Sequence, residues 1–348
     1  MTRRCASCWS LAAALLVLAA CAPQTLRETA TPAIGTTPPD TTVYARHAAF
    51  PAFRERMVSR HGFDAAELEA LFARVERRQS ILDAIAQPAE AKPWHEYRPI
   101  FVTEDRIVKG VEFWNAHADT LARASREFGV DAEIIVAIIG VETRYGSVQG
   151  RYPVIAALAT LGFDYPPRSV FFQSELEHYL LLVREEGLDP LATLGSYAGA
   201  MGAGQFMPSS FRAYAVDFDG DGHRDLWQSW PDIIGSVANY LARHGWKHGE
   251  PVVVPAVLRD GASEPARESP LALTTAGTLR EAFVFTAGLA DTEPALYVAL
   301  DGATEREYWI GLNNFWVITR YNRSALYAMA VWQLAQEIVR HRTVTAGN

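Results

Sequence analysis

The sequence predicts a mainly helical α+β protein: a helical core, an accessory helical region and a small inserted β-rich domain. Three observations carry this. Ile134, Ile135, Ile138, Ile139 and Val141 form an apolar run too continuous for a surface helix, so they predict a buried central one. Amphipathic helical periods flank it on both sides. Between residues 250 and 310 the pattern changes to short β-type runs separated by Gly, Pro and Asp.

Taken in chain order, Asp64-Ala-Ala-Glu67 is a capping box that opens a helix carrying Leu68, Leu71 and Phe72. A long helix begins near Thr103, sets Ile107, Val111, Trp114, Ala118 and Leu121 on one face, and stops at Gly129. Asp131 is placed to cap the apolar helix, and Gly146 lies just past its end. Pro231 and Asp232 begin a helix that stops at Gly245. Val252–Val254, Phe283–Phe285, Leu296–Leu300 and Glu307–Ile310 read as strands. The last helix runs from about Ser324 into the 330s on Leu326, Met329, Leu334 and Ile338. No internal repeat is visible.

The N-terminus reads as an address. Arg3 and Arg4 precede an apolar stretch, densest from Leu11 to Ala20, that is too short for a membrane span and has the form of a signal peptide. It ends Leu18-Ala-Ala-Cys21, which resembles the bacterial lipobox and implies that Cys21 is lipidated after cleavage. Several acyl chains on one residue give stable anchoring. Ala22 is not the Asp associated with inner-membrane retention, so the resemblance implies an outer-membrane lipoprotein facing the periplasm. The expected organisation is a signal peptide over 1–20, a Thr/Pro/Ala-rich tether over 21–43, and a helical region over 44–130. A core over 131–248, a β-rich insertion over 249–310 and a C-terminal core segment over 311–348 follow.

Composition narrows the function. The 348 residues, 49% hydrophobic, are enough for a large core, and at about 150 residues per domain they imply two or three units. A net charge of -8 argues against a broad electrostatic grip on nucleic acid. Nine Trp and an aromatic content of 11% suit sugar recognition, which uses ring faces and hydrogen bonds. The cysteines, Cys5, Cys8 and Cys21, all lie near the N-terminus, which excludes a disulfide framework and a thiolate metal site in the body of the chain.

Two segments carry candidate chemistry. In Gly140-Val-Glu-Thr-Arg-Tyr-Gly146, Glu142 follows the apolar helix directly, at the negative end of its macrodipole. That field and apolar surroundings disfavour ionisation, which suits a general acid; the bland reading is a Glu that caps a core helix and pairs with Arg144. In Ser196-Tyr-Ala-Gly-Ala-Met-Gly-Ala-Gly-Gln-Phe-Met-Pro-Ser-Ser-Phe211, closely spaced glycines permit a ligand to approach the backbone. Gln205 offers a donor and an acceptor to a sugar amide, and Phe206 and Met207 an apolar wall. The segment lacks the Lys-Ser/Thr of a phosphate-binding loop.

A third segment, Asp217-Phe-Asp-Gly-Asp-Gly-His-Arg-Asp225, matches the opening of an EF-hand loop. Asp217, Asp219 and Asp221 hold positions one, three and five, Gly222 makes the turn, and His223 offers its carbonyl oxygen. Position twelve is Gln228 where a bidentate Glu is usual. The pattern points to a structural Ca²⁺, or else to a solvated Asp-Gly turn that imitates it.

The G-V-E-T-x-Y-G and S-Y-A-G-A-M-G-x-G-Q-F-M-P-S-S runs resemble the membrane-bound lytic murein transglycosylase B family, with further likeness from Asp217 to Trp246 and through Arg320-Tyr-Asn322. The resemblance implies a lysozyme-like catalytic core and cleavage of the β-1,4 bond between N-acetylmuramic acid and N-acetylglucosamine in peptidoglycan. It implies that Glu142 is the sole general acid and base, and that a 1,6-anhydromuramic end forms in place of a hydrolysed one. By the same resemblance Ser196 contacts the substrate acetamido group. Gln205, Tyr321 and Asn322 line the cleft, Tyr97 and Arg168 hold the strand, and Asp232 closes the metal loop over 217–232. Pro167 departs from the family where a second basic residue is common. The substrate is then a glycan strand, the protein a monomer, and no organic cofactor is needed. A water-using muramidase and a non-catalytic peptidoglycan-binding lipoprotein stay open as alternatives.

Overall fold

The computed structural model describes residues 43–86, 92–285 and 288–346. Cys21 and the signal-peptide reading lie outside them. The chain begins with a 3-10 turn at Tyr44–Arg46, then α1 (Phe50–His61), α2 (Ala65–Phe72), α3 (Gln79–Ile85) and α4 (Trp94–Phe101). Asp64 caps α2 through its carboxylate, which accepts the N–H groups of Ala66 and Glu67 at 2.8 and 2.9 Å.

The single helix expected from Thr103 to Gly129 is two: α5 (Glu104–Ala116) and α6 (Ala118–Phe128), broken at His117. At the break the His117 ring meets Phe113 at 4.6 Å and Trp230 at 5.4 Å. Thr103 does cap α5, and Gly129 ends α6 in the left-handed conformation.

The apolar run is α7 (Ala132–Thr143), buried without interruption from Ile134 to Val141. Asp131 stands at its N-cap position but makes no capping bond. Its carboxylate accepts instead from Trp246 Nε1 at 2.9 Å and pairs with His248. The cap expected from sequence is thus spent on a long-range tie.

After the short strand β1 (Tyr152–Pro153) come α8 (Val154–Asp164), a 3-10 turn at Pro166–Arg168 and α9 (Ser169–Glu186). Next are β2 (Leu194–Gly195), which pairs antiparallel with β1, then α10 (Pro208–Tyr214) and α11 (Trp230–Arg243). The β-type runs become β3 (Val253–Leu258), β4 (Thr274–Thr275), β5 (Phe283–Val284), β6 (Pro294–Asp301) and β7 (Arg306–Gly311), with α12 (Ala276–Ala282) before β5. They form an antiparallel sheet of order β4-β6-β7-β3-β5. The period of two along β6 serves both faces: Leu296, Val298 and Leu300 join the main core, while Ala295 and Tyr297 join Leu279, Phe283 and Ile310 in a second one.

Two helices close the chain, α13 (Asn313–Tyr321) and α14 (Ala325–Ala346). The last helix runs well beyond the expected 330s. It packs along α7, α5, α4 and α13, so the apolar stripe of α14 covers the helix that carries Glu142. The architecture is mainly helical with a small β region. No helix among the described residues is long and apolar enough to cross a membrane.

Candidate active site

Glu142 is the penultimate residue of α7 and half-buried, with fully covered residues on either side. The helix stops immediately after it because Arg144 and Tyr145 both turn left-handed, at φ 50° and 56°. Thr143 fixes this end. Its hydroxyl donates to the Ala203 carbonyl at 2.8 Å and accepts the Gly146 N–H at 3.0 Å. The acid's helix is therefore tied to the glycine-rich segment. Tyr145 folds back to donate to the Arg106 carbonyl at 2.9 Å. A Cβ on Gly110 or Gly140 would stand 2.5 Å from its hydroxyl, so both glycines are required by that approach.

The partner of Glu142 comes from α14. The Tyr327 hydroxyl donates to Glu142 Oε1 at 2.6 Å. Tyr327 is fully buried, and burial first, then the charge of Glu142, raises its pKa well above the ordinary value of 10.0. It therefore stays protonated and must be the donor. Tyr321, at the end of α13, is pushed up by the same causes in the same order, and its hydroxyl donates to the Gly204 carbonyl at 2.6 Å. Tyr97 has no exposed surface; it stacks on Trp94 at 6.3 Å and meets Phe101 at 5.0 Å. Its field reaches Tyr327, so it lies near the tyrosine that binds Glu142.

The glycine-rich segment folds on itself. Met201 and Phe206 exchange N–H···O bonds of 2.9 Å. The Ser196 hydroxyl accepts the Ala200 N–H at 3.0 Å. Gln205, left-handed at φ 52°, spends its side-chain N–H groups on the carbonyls of Gly202 at 2.9 Å and Gln149 at 3.1 Å, which fixes the orientation of its amide. Ala203 N–H donates to Leu226 O at 2.8 Å, so the loop that follows supports this segment from below.

A cavity of about 220 Å³ opens here, with Arg168, Gln205, Phe206, Met207 and Tyr321 in its walls. The structure thus gathers five of the expected cleft residues. Arg168 lies over the rings of Phe171 and Phe172 at 4.3 and 4.9 Å. Ser196 and Asn322 adjoin these elements without lining the cavity; Asn322 is 3% exposed. Among the described residues, the one carboxylate in the cavity wall is Glu175, and Ser209 engages both of its oxygens, through N–H at 2.9 Å and Oγ at 2.7 Å.

In the acidic loop, Asp217, Asp219 and Asp232 bring carboxylate oxygens within 4.8 Å of one another. Asp232 is 1% exposed and accepts the N–H groups of Phe218 at 2.6 Å and Asp225 at 2.8 Å; burial raises its pKa. The Gly222 N–H, ahead of those of Gly220 and Asp221, holds the Asp217 carboxyl below its ordinary range. Three oxygen-bearing anions this close repel unless a cation lies among them, and an all-oxygen set suits a hard divalent ion. Asp221 Oδ1 accepts the His223 N–H at 2.8 Å, and both residues are exposed at the turn beside this carboxylate cluster.

Residues 45–336 match the family model described as the transglycosylase SLT domain. The chain belongs to this transglycosylase family. It is 46% identical over 306 residues to the membrane-bound lytic murein transglycosylase B of Escherichia coli K12, covering 83% of this chain and 82% of that one. The lytic transglycosylase SltB1 of Pseudomonas aeruginosa superposes with a TM-score of 0.82 at 54% identity, covering 86% of this chain and 99% of that one. The Escherichia coli lytic transglycosylase Slt35, solved with bulgecin A and with calcium, gives 0.78 at 44% identity, covering 86% and 95%. This SLT transglycosylase therefore has the lysozyme-like fold of Slt35, and it is an enzyme, a peptidoglycan lytic transglycosylase.

The sequence reading missed Tyr327, Thr143 and Gln149. Tyr327 lies within the helical stripe of Leu326, Met329 and Leu334, where an aromatic reads as core. Only the packing of α14 on α7 gives its hydroxyl a function.

Proposed function

We propose that the transglycosylase SLT protein cleaves the muramic–glucosamine bond with Glu142 as its single proton-transfer group. Protonated Glu142 gives its proton to the glycosidic oxygen as the C1–O bond breaks. The resulting carboxylate then takes the proton of the muramyl C6 hydroxyl as that oxygen bonds to C1, closing a 1,6-anhydro ring and restoring the acid. The observation that carries this reading is a half-buried carboxylate oriented by a buried tyrosine, whose charge reaches Tyr321 in the cavity wall. The carboxylate that lines that wall among the described residues, Glu175, is fully engaged by Ser209, which leaves no candidate there for a water-activating second acid. Ser196, Gln205, Tyr321, Asn322 and Arg168 are proposed to hold the glycan, with Phe206 and Met207 as the apolar side. Mass spectrometry of released muropeptides tests the reading. Anhydro ends, lighter by one water, are expected, and reducing muramic ends would move the assignment to a muramidase.

The acidic loop is proposed to bind Ca²⁺ through Asp217, Asp219 and Asp232, a choice supported by their spacing and by the calcium complex of Slt35. An ion there would neutralise the cluster and brace Leu226, whose carbonyl supports Ala203 and, through it, Thr143 beside Glu142. Saturating Ca²⁺ at a hundredfold excess over Kd stabilises by about 2.7 kcal/mol, which corresponds to a Tm shift on the order of 5 °C. Asp219→Ala should remove most of that shift, read by melting curves of metal-stripped protein with Ca²⁺ or chelator; equal curves for wild type would count against the ion.

The anchor at Cys21 is proposed to be a lipid on the outer membrane, the protein facing the periplasm. Wild type should carry acyl mass on its N-terminal Cys21 and fractionate with outer membrane, whereas Cys21→Ala should lose both. An unmodified Cys21 in mature wild type would remove the anchor.

A further inference from the structure

Glu175 is a buried carboxylate in the cavity wall for which the proton-transfer scheme has no use. It is 4% exposed and sits on α9, whose first turn gives Phe171 and Phe172 to the same wall, next to Arg168. Another part of that wall, Gln205 to Met207, runs straight into α10. A carboxylate buried this deeply costs stability unless it is hydrogen-bonded. Ser209 compensates it with both its N–H and its Oγ. Burial raises the Glu175 pKa, against the Ser209 bonds and the fields of His178 and Arg168.

The two bonds do for α10 what its own N-cap residue does not. Met207 holds that position with an apolar side chain and makes no capping bond. Ser209 is the second residue of the helix, and its N–H is one that a capping side chain ordinarily binds. The cap therefore comes from another helix, 34 residues earlier in the chain. That helix is held in turn. Gln173, two residues before Glu175, accepts from Arg56 of α1 at 2.8 Å and donates to the Gly162 carbonyl at 2.9 Å.

We propose that Glu175 is a positioning residue: its clasp on Ser209 sets the Gln205–Met207 wall against the Arg168–Phe172 wall, and so the fit of the glycan between them. This rests on the reading of the cavity as the glycan site. An apolar residue would fill the same space without a buried charge. It would leave the first turn of α10 uncapped and free to move from α9, carrying Gln205 to Met207 with it. Glu175 acts through Ser209 and not on the reacting atoms.

The test measures kcat and KM of the full-length enzyme on peptidoglycan, with affinity for insoluble peptidoglycan read separately in the Glu142→Gln background. Glu175→Ala should raise KM about tenfold, the scale of one hydrogen bond to a charged group, and change kcat less than about twofold, the pattern of lost binding. Ser209→Ala keeps the N–H bond and should raise KM about threefold. The double variant should be no worse than Glu175→Ala, because the pair acts as one unit. Glu175→Gln should recover most of the loss, since its amide can accept the Ser209 N–H and donate to Oγ. Arg212→Ala is the control. Arg212 ties α10 to Glu185 of α9 at 2.7 Å but lies outside the cavity wall, so its loss should lower Tm and leave KM alone. Affinity should fall by the factors by which KM rises. Unchanged KM and affinity in Glu175→Ala, or an equal rise of KM in Arg212→Ala, would overturn the proposal. A Glu175→Gln enzyme as inactive as Glu142→Gln would make Glu175 a second acid, which removes both the clasp and the single-acid reading. Reducing ends from wild type would remove the anhydro reaction alone, and the affinities would still decide the clasp.

Discussion

Glu142→Gln is expected to fold normally, bind glycan and release almost no anhydro-muropeptide. The amide keeps the shape of the acid and still accepts the Tyr327 hydrogen bond, so the packing of α14 on α7 has no reason to change. It can neither donate the proton that the leaving oxygen needs nor take one from the C6 hydroxyl. Proton transfer by a positioned side chain is worth about 10²–10⁴-fold, and one group would serve both half-reactions here. The loss should therefore sit at the upper end of that range. Melting curves separate this from a structural role. A Glu142 that merely closed α7 would show its removal as a fall in Tm with activity retained on the folded fraction. Turnover near the wild-type rate would end the mechanism.

The fold was legible in proportion to how local its signals are. The apolar run of α7, the capping box at Asp64 and the four β-type runs each name their own element, and all appear. What failed depends on partners far along the chain. At the break His117 meets Trp230, and the Asp131 carboxylate, free of its cap, meets Trp246 and His248. No periodicity of α5 or α6 contains either fact.

The site divides in the same way. Gln205, Phe206 and Met207 are adjacent in sequence, and Arg168 and Tyr321 join them at one cavity. Tyr97 shows how a motif match and burial differ in what they tell, because the match implies a glycan contact while the ring has no exposed surface. The acidic loop shows the same with distance: the carboxylate cluster includes Asp232 from α11, which EF-hand spacing alone does not reach. Tyr327 was hidden for the reverse reason: an apolar helical stripe contains no signal that one of its members faces a carboxylate.

Gly202→Ala is expected to be strongly damaging for a single-methyl change near the cleft. Gly202 sits at φ 67°, and a Cβ there would fall on the Leu226 carbonyl oxygen. Two costs add. Left-handed backbone costs an L-residue about 1 kcal/mol. The clash is with main chain on both sides, so no rotamer relieves it, and the segment must move by the width of a bond. Core strain of this kind costs about 1–3 kcal/mol more, for a total of about 2–4 kcal/mol. Gly129→Ala is the control. Its φ of 66° is nearly the same, but nothing lies within 4 Å of the added atom, so only the backbone cost of about 1 kcal/mol applies. A fall in Tm on the order of 5 °C or more is expected for Gly202→Ala, against about 2–3 °C for Gly129→Ala. The displacement also has a functional consequence that the control lacks. Gly202 O accepts from Gln205, and the neighbouring Ala203 bonds Leu226 on one side and Thr143 on the other. Shifting the segment therefore loosens both the cleft amide and the end of the helix that carries Glu142. Gly202→Ala should lose activity at temperatures where it is still folded, while Gly129→Ala should not. If both variants lost the same Tm and kept full activity, the Leu226–Ala203–Thr143 path would not be what holds the acid in place.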